Sequence, residues 1–265
     1  MAVERTTRAL VVLVITVVLG GSRAFGYRPF VSTDAAVADL GEVEIELGYA
    51  GFREEHSRVT IIAPTMVSNL GIAQDLELVG EFKLANDLSH DRDEDATRVE
   101  DGAVSLKWVL RDGVLQDEGS GPSVGVELSA LLPTRRGQSR PGGELTGLLS
   151  ARTLGWTYHL NAGALVEPDG SEPGLVWGMI GEHAIYGPLR AVAEINGESV
   201  RTSRADNSLL VGTILRLAAP APLHELSLDV GVRRGLSSAA ADWAGTAGVT
   251  FAFPWLGSRT SEGTQ

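Results

Sequence analysis

The chain has 265 residues, a formal net charge of −12 and no cysteine. The absence of cysteine excludes a disulfide framework and all thiolate chemistry. The negative charge argues against nucleic acid as a partner, because a phosphate backbone would repel the chain. The length suits one large all-β domain as well as two smaller domains, and the 32 glycines favour many tight turns and closely packed strands.

The first 26 residues have the order of a secretory signal peptide. Arg5 and Arg8 precede a short apolar run, and small residues follow it. Cleavage is expected near Ala24 or Gly26. An uncleaved membrane anchor is the alternative, but the apolar run is much shorter than the roughly 20 residues that a spanning helix requires. Removal of residues 1–26 takes away three arginines and one glutamate, which changes the formal charge from −12 to −14.

The rest of the chain alternates apolar and polar residues with a period of two. Val43 and Ile45 fall on one face of a segment whose other face carries Glu44 and Glu46, which is the pattern of a β-strand. No second apolar run is long enough for a membrane-spanning helix. We predict strands near residues 42–49, 58–69, 75–84, 103–110, 123–132, 144–152, 156–166, 174–185, 189–196, 205–217, 225–233 and 243–253.

Twelve strands is an even number, as expected for bacterial barrels, and it places both termini in the periplasm. Short turns also alternate with longer polar connections, as they do in barrels with short periplasmic turns and long outer loops. The short turns are expected at 71–73, 154–155, 186–188 and 220–222, and the longer connections at 86–98 and 134–142. The connection at 112–121 is longer than this scheme requires.

Alternation alone does not distinguish a transmembrane barrel from a soluble sandwich, because the strands of both have one apolar and one charged face. Strands of roughly ten residues have the length that crosses a bilayer at a tilt. Trp156, Tyr186 and Trp243 fall near predicted strand ends, where the interfacial aromatics of barrels lie. These features predict an all-β fold, a single antiparallel transmembrane β-barrel over residues 27–253 with a short tail at 254–265.

Several short motifs follow one another along the chain. They are Arg28 to Ala35, Glu46 to Tyr49, Ala63-Pro64-Thr65, Gln74 to Leu78, Leu132-Pro133-Thr134, Leu160 to Gly163, Ala193 to Glu198, Leu228 to Leu236, and Asp242-Trp243 ahead of Phe251-Ala252-Phe253. In this order they resemble a bacterial outer-membrane family named for the MetA pathway of phenol degradation. The resemblance implies an outer-membrane barrel that moves small solutes, hydrophobic or aromatic ones among them. It carries over no catalytic residue.

In a barrel, the charged face of each strand points into the lumen. The candidate lumen-lining residues are Glu44, Glu46, Glu77, Glu81, Lys83, Lys107, Glu127, Arg152, His159, Arg190, Glu194, Arg216, Asp229 and Arg233. Acidic residues outnumber basic ones on this face, and a ring of carboxylates would favour cations in a narrow pore. The alternative is a lumen filled by ion pairs that satisfy one another. The sequence leaves both open, as it leaves open whether the lumen is plugged.

The five histidines lack metal-binding spacing, so we predict no metal and no cofactor. His183 falls on the apolar face, where a lipid-modifying enzyme of the outer membrane would present a histidine. The acidic residues at 91–95 lack the spacing of a calcium loop.

The predicted function is therefore a passive channel or uptake protein of the outer membrane, without enzyme activity. The alternatives are a structural barrel that transports nothing, a lipid-modifying enzyme of the outer membrane, and a secreted soluble β-sandwich. The expected partners are outer-membrane lipid, lipopolysaccharide, the assembly machinery of that membrane and a small solute of unknown identity.

Overall fold

A computed structural model describes residues 28–88, 96–116, 120–200 and 205–255 of the chain. The strands are β1 Glu42–Glu55, β2 Arg58–Ala73, β3 Leu76–Asp87, β4 Thr97–Arg111, β5 Ser123–Leu131, β6 Gly142–Thr153, β7 Trp156–Val166, β8 Gly174–Tyr186, β9 Leu189–Val200, β10 Asp206–Arg216, β11 Glu225–Gly235 and β12 Trp243–Pro254. Each strand pairs with its neighbours in sequence, and β12 pairs antiparallel with β1, so the sheet closes on itself. The prediction of a closed antiparallel barrel of twelve strands is confirmed.

The two ends of the barrel differ in their connections. At the end where β1 begins and β12 ends, called the near end, two-residue turns join strands at 74–75, 154–155 and 187–188. The opposite end, called the far end, carries the connections 88–96, 132–141, 167–173, 201–205 and 236–242. The exceptions are the short far-end turn at 56–57 and the long near-end connections at 112–122 and 217–224.

One of the predicted short turns is wrong, and another is part of a longer connection. Residues 71–73 belong to β2, and the chain turns only after Ala73. Gly71 instead allows the backbone of Asp39 to approach β2 closely. Residues 220–222 do form a turn, since the N–H of Leu223 donates to the carbonyl of Pro220, but this turn lies inside the longer connection 217–224. Two of these three residues are prolines, which lack the N–H that the strand ladder would use, so β10 ends before them.

The apolar face of the strands points outward. Leu128 and Val211 are each 60% exposed, and Trp108 and Leu145 are more than half exposed. So extensive an apolar surface suits lipid, as in transmembrane barrels, and not water. The alternative of a soluble sandwich is wrong, because a sandwich would bury this face between two sheets, whereas here one closed sheet leaves it outside.

The chain beyond the barrel wall is described only in part. β12 continues to Pro254, one residue past the predicted end of the barrel, and the N–H of Trp255 donates to the carbonyl of Gly41. The signal peptide predicted for 1–26, the acidic residues at 91–95 and the tail after Trp255 lie outside the described residues. Within the described residues, no helix has the length and apolar character needed to cross a bilayer.

Candidate functional site: the lumen and the segment inside it

The interior of the barrel holds residues 28–40, here called the luminal segment. Ala35, Ala36 and Ala38 are only 1%, 3% and 4% exposed, although they belong to no strand. The wall beside them is equally inaccessible to solvent, since the inward-pointing Ile180 is 0% exposed. A lumen-facing side chain is covered to this extent only when something fills the lumen, so the luminal segment packs the barrel at this level.

The luminal segment rises from the near end toward the middle of the barrel. Ala38 donates its N–H to Glu77, the second residue of β3. Arg28 lies against Gly48 and Gly248, which are about half-way along β1 and β12. The near half of the lumen is therefore the filled half.

Polar side chains of the wall bind the main chain of the luminal segment. Glu194 on β9 accepts the N–H groups of Val31 and Ser32, at 3.1 and 2.7 Å. Asn161 on β7 accepts the N–H of Thr33 and donates to its carbonyl, at 2.8 and 2.7 Å. Because a segment outside the sheet has no strand partner, these side chains supply the hydrogen bonds that its peptide groups require when buried.

A buried ion pair fixes the position of the segment across the lumen. Nζ of Lys107 on β4 lies 3.2 Å from Asp34 Oδ1 in the luminal segment and 3.4 Å from Glu77 Oε1 in the wall. The three side chains are each less than a tenth exposed. Loss of the Lys107 charge would leave two buried carboxylates without a counter-ion, so this lysine holds Asp34 of the segment close to the wall.

Glycines of the wall make room for the luminal segment. A Cβ atom at Gly71 would lie 2.0 Å from the carbonyl oxygen of Asp39, and one at Gly178 would lie 1.9 Å from Ser32 Oγ. At Gly71 only a residue without a side chain allows the two backbones to approach this closely, and at Gly178 only such a residue leaves room for the Ser32 hydroxyl.

Substitution Gly71→Ala should displace the luminal segment at the near end. The added methyl group would overlap a backbone carbonyl, which no side-chain rotation can move away. Overpacking of this kind costs about 1–3 kcal/mol, which we expect as a lower midpoint of thermal unfolding. Gly147→Ala is the matched control, since a Cβ atom there would lie 3.6 Å from its nearest neighbour. An equal loss of stability in both variants would contradict the prediction.

Several predicted lumen residues contact the luminal segment directly, namely Glu77, Lys107, Glu194 and Asp229. Others pair with charges of the wall. Lys83 Nζ lies 2.8 Å from Asp101, and Arg190 Nη2 lies 2.7 Å from Glu182. Arg233 pairs with Glu194 and so joins the anchor of the luminal segment.

The remaining predicted lumen residues lie elsewhere on the wall. Glu44 and Glu46 both accept from the side-chain amide of Asn69, and Arg152 donates to Thr157. The others are placed by the register alone. Glu127 lies opposite Lys107, Glu81 opposite Ala103 and Arg216 opposite Ser227.

Apolar side chains that point into the lumen were missed by the sequence analysis. Val192 and Leu210 are 2% and 1% exposed. Val192 shares the parity of Glu194 on β9, and Ile180 shares that of Glu182 on β8. Parity with these glutamates was the signal that could have identified them.

A row of three polar groups crosses adjacent strands of the wall. Ser150 Oγ lies 2.7 Å from His159 Nδ1, and His159 Nε2 lies 3.5 Å from Glu182 Oε1. These groups are of the types found in serine hydrolases. However, Ser150 is 0% exposed and its Oγ accepts the N–H of Ala35. Since a substrate carbonyl has no access to this hydroxyl, the row anchors the luminal segment.

His183, which the sequence places on the lipid side, lies beside an aromatic ring. Its ring stacks on Trp156 with 4.8 Å between ring centroids. Its Nδ1 lies 3.0 Å from the carbonyl oxygen of Gly155, in the near-end turn. These contacts are those of an interfacial histidine.

The far half of the lumen holds a cavity of about 370 Å³. Its lining residues are Arg53, Glu55, His56, Arg58, Thr60, Asp87 and Arg98. Arg53 and Arg98 both donate to Glu100, at 3.0 and 2.7 Å. Arg53 retains 30% side-chain exposure, so the far half of the lumen is charged and open to solvent beside β1 and β2, whereas the near half is packed.

Asp169 joins two of the far-end connections. Its carboxylate accepts the N–H groups of Ser139 and Arg140, at 2.6 and 3.1 Å. The hydrogen bond from the Ser139 backbone, aided by Arg140, holds the pKa of the Asp169 carboxyl below its usual value. The carboxylate is therefore the form that holds the connection 132–141 in place.

Acidification should release this connection. A folded-state pKa below the unfolded value means that the contact is complete above the unfolded pKa and is lost as the pH falls through the lowered pKa. A spin label on Arg135→Cys, a unique thiol in this chain, should become more mobile at acid pH. Asp169→Asn should give the mobile spectrum already at neutral pH, whereas Glu172→Gln on the same connection should not. A label that stays immobile in Asp169→Asn would contradict this role.

Comparison with known proteins rests on structure alone. The chain matches no protein-family model and no curated protein sequence. It is similar to the crystal structure of an outer-membrane channel from Pseudomonas putida F1, with a TM-score of 0.51 and 11% identity over 84% of this chain and 99% of that one. The chain has the fold of an outer-membrane channel.

Two further solved structures are similar over comparable lengths. An anion-selective porin from Comamonas acidovorans is 5% identical over 80% of this chain and 98% of its own, with a TM-score of 0.40. An outer-membrane protein of Vibrio cholerae is 8% identical over 81% of this chain and 99% of its own, with a TM-score of 0.36. Both differ too much in shape to bear on the properties of this channel fold.

Proposed function

We propose that the protein is a passive outer-membrane channel for small solutes, with the near end facing the periplasm. The observation that carries this proposal is the polarity of the wall, which is apolar outside and charged inside. A closed sheet of this polarity satisfies its backbone in lipid and surrounds a polar path. Export by the predicted signal peptide, with cleavage near Ala24 or Gly26, would deliver the chain to that membrane.

We propose small polar or charged solutes, with a preference for cations. The cavity of the far half has a charged lining of three arginines and two carboxylates, which disfavours the hydrophobic solutes that the family resemblance implies. The preference for cations rests on other carboxylates of the lumen. Glu144, Glu198 and Asp206 add carboxylates toward the far ends of β6, β9 and β10. Carboxylates around a narrow passage lower the energy of a cation within it.

A structural barrel that transports nothing is the second candidate. The packed near half of the lumen favours it, because the luminal segment occupies the space that a solute would need. The two candidates differ in whether the luminal segment leaves that space.

Current through the purified protein in planar bilayers tests the proposal. We expect a small conductance, and a reversal potential in a salt gradient that indicates cation preference. Absence of both ionic current and solute flux into liposomes, for the whole protein and for a variant without the luminal segment, would overturn the channel function and favour the structural barrel. A reversal potential of the opposite sign would overturn the cation preference alone.

A further inference from the structure

We propose that the polar pocket around the Arg28 side chain, here called the seat, is a binding site for guanidinium-bearing solutes. Arg28 itself occupies this pocket until such a solute displaces it. The seat consists of Asp229, Thr65 and Thr246, with Gly48 and Gly248 beside them. The proposal rests on the channel function above and names a class of solute for it.

The polar groups of the seat match a guanidinium. Arg28 Nε lies 3.4 Å from Asp229 Oδ2, its Nη1 donates to Thr65 Oγ1 and its Nη2 donates to Thr246 Oγ1. The Arg28 side chain is 10% exposed and that of Asp229 is 3% exposed. The seat thus offers one carboxylate and two hydroxyls in a nearly dry site on three strands of the wall.

The shape of the seat suits a flat group. A Cβ atom at Gly48 would lie 2.5 Å from Arg28 Nη1, and one at Gly248 would lie 2.3 Å from Arg28 Nε. Any side chain at either position would overlap the guanidinium. The two glycines therefore leave a slot between the strands that a planar group fills and that a bulkier, tetrahedral group fits less well.

Arg28 does not satisfy all the hydrogen-bond acceptors of the seat. Asp229 Oδ1 is buried and receives no hydrogen bond from any residue in the described part of the chain, and the one contact to Oδ2 is long. A guanidinium free of the backbone can rotate to form two parallel hydrogen bonds to both carboxylate oxygens, a stronger geometry. A free guanidinium group can therefore compete with the tethered one.

The negative charge of Asp229 requires that any solute that displaces Arg28 is a cation. Removal of Arg28 without replacement would leave Asp229 buried and uncompensated, which is costly. Glu44, Glu46 and Glu225 are 4%, 5% and 9% exposed on the adjoining strands β1 and β11, and they add negative potential around the seat. A neutral or anionic solute would not restore the balance that Arg28 provides.

Chemical rescue tests the site. Arg28→Ala should raise the conductance in planar bilayers, and agmatine, which carries a guanidinium, should lower it again in a saturable manner, halving the added current at its dissociation constant. Putrescine, of similar length with ammonium groups at both ends, should act only at higher concentration. In Arg28→Ala/Asp229→Asn, agmatine should lose its effect. Arg28→Gln serves in the same way if Arg28→Ala does not fold.

A second measurement separates this proposal from the channel function. Agmatine should raise the thermal midpoint of detergent-solubilised Arg28→Ala and leave that of the double variant unchanged. If no variant conducts but this shift occurs, the channel function fails and the binding site stands. If agmatine acts equally on the double variant, or putrescine acts as well as agmatine, the guanidinium site is overturned while the channel function is not.

Discussion

Removal of residues 28–38 should turn the barrel into an open pore, with a single-channel conductance several-fold above that of the whole protein. The reason is the packing of the near half, where Ala35, Ala36 and Ala38 of the luminal segment lie inside the barrel and are at most 4% exposed. Without the segment, water and ions fill this volume, and the narrowest part of the path widens. Planar-bilayer recordings of the purified variant measure the change.

Two controls make the deletion interpretable. Replacement of the same residues by a glycine and serine sequence of equal length keeps the tether but loses its anchors, so its current should fluctuate between closed and open levels. Heat-modifiable gel migration shows that each variant is a folded barrel. If the deleted variant is folded and its conductance equals that of the whole protein, the luminal segment does not obstruct the path.

The wall of the barrel could be predicted from sequence because its signal is local. Each strand has to place alternate residues in lipid and in the lumen, so Glu42, Glu44 and Glu46 identify the inner face of β1 without knowledge of any other strand. The number of strands and their order follow from the same local pattern. Predictions of turns were less accurate, since the position of Gly71 depends on a contact with Asp39 that no local pattern reveals.

The luminal segment could not be predicted because its contacts are distant in sequence. Its residues between Arg28 and Leu40 are mostly small and show no alternation, which is equally typical of a linker. Their partners, among them Asn161 and Glu194, lie more than a hundred residues away. Whether a lumen is filled depends on the space left after all twelve strands have closed.

The anchors of the luminal segment divide into two kinds. Two of its side chains form ion pairs, Arg28 with Asp229 and Asp34 with Lys107. Its middle is also held through its main chain by Glu194 and Asn161. Hydrogen bonds to the main chain depend on the course of the backbone and not on the identity of the side chains. Release of the whole segment therefore requires loss of the middle anchors, of which Glu194 makes the most contacts with charged or backbone donors.

Glu194→Ala should release the luminal segment from the wall and destabilise the protein. It removes the partner of the Arg233 guanidinium and the acceptor of the Val31 and Ser32 N–H groups at once. Breaking a buried ion pair from one side costs about 3–5 kcal/mol. We expect a lower thermal midpoint and faster thiol labelling of Ala36→Cys, a residue that is 3% exposed in the intact protein and would be the only cysteine of the chain.

Glu198→Ala is the matched control, because Glu198 lies on the same face of β9, two inward positions nearer the far end. It should leave the labelling rate of Ala36→Cys unchanged. Glu194→Gln separates the two roles of the carboxylate, since its amide oxygen still accepts from the luminal segment but no longer pairs with Arg233. Slow labelling in Glu194→Gln with a lowered thermal midpoint would assign seating to the hydrogen bonds and stability to the ion pair. Equal labelling rates in Glu194→Ala and Glu198→Ala would remove Glu194 as the anchor.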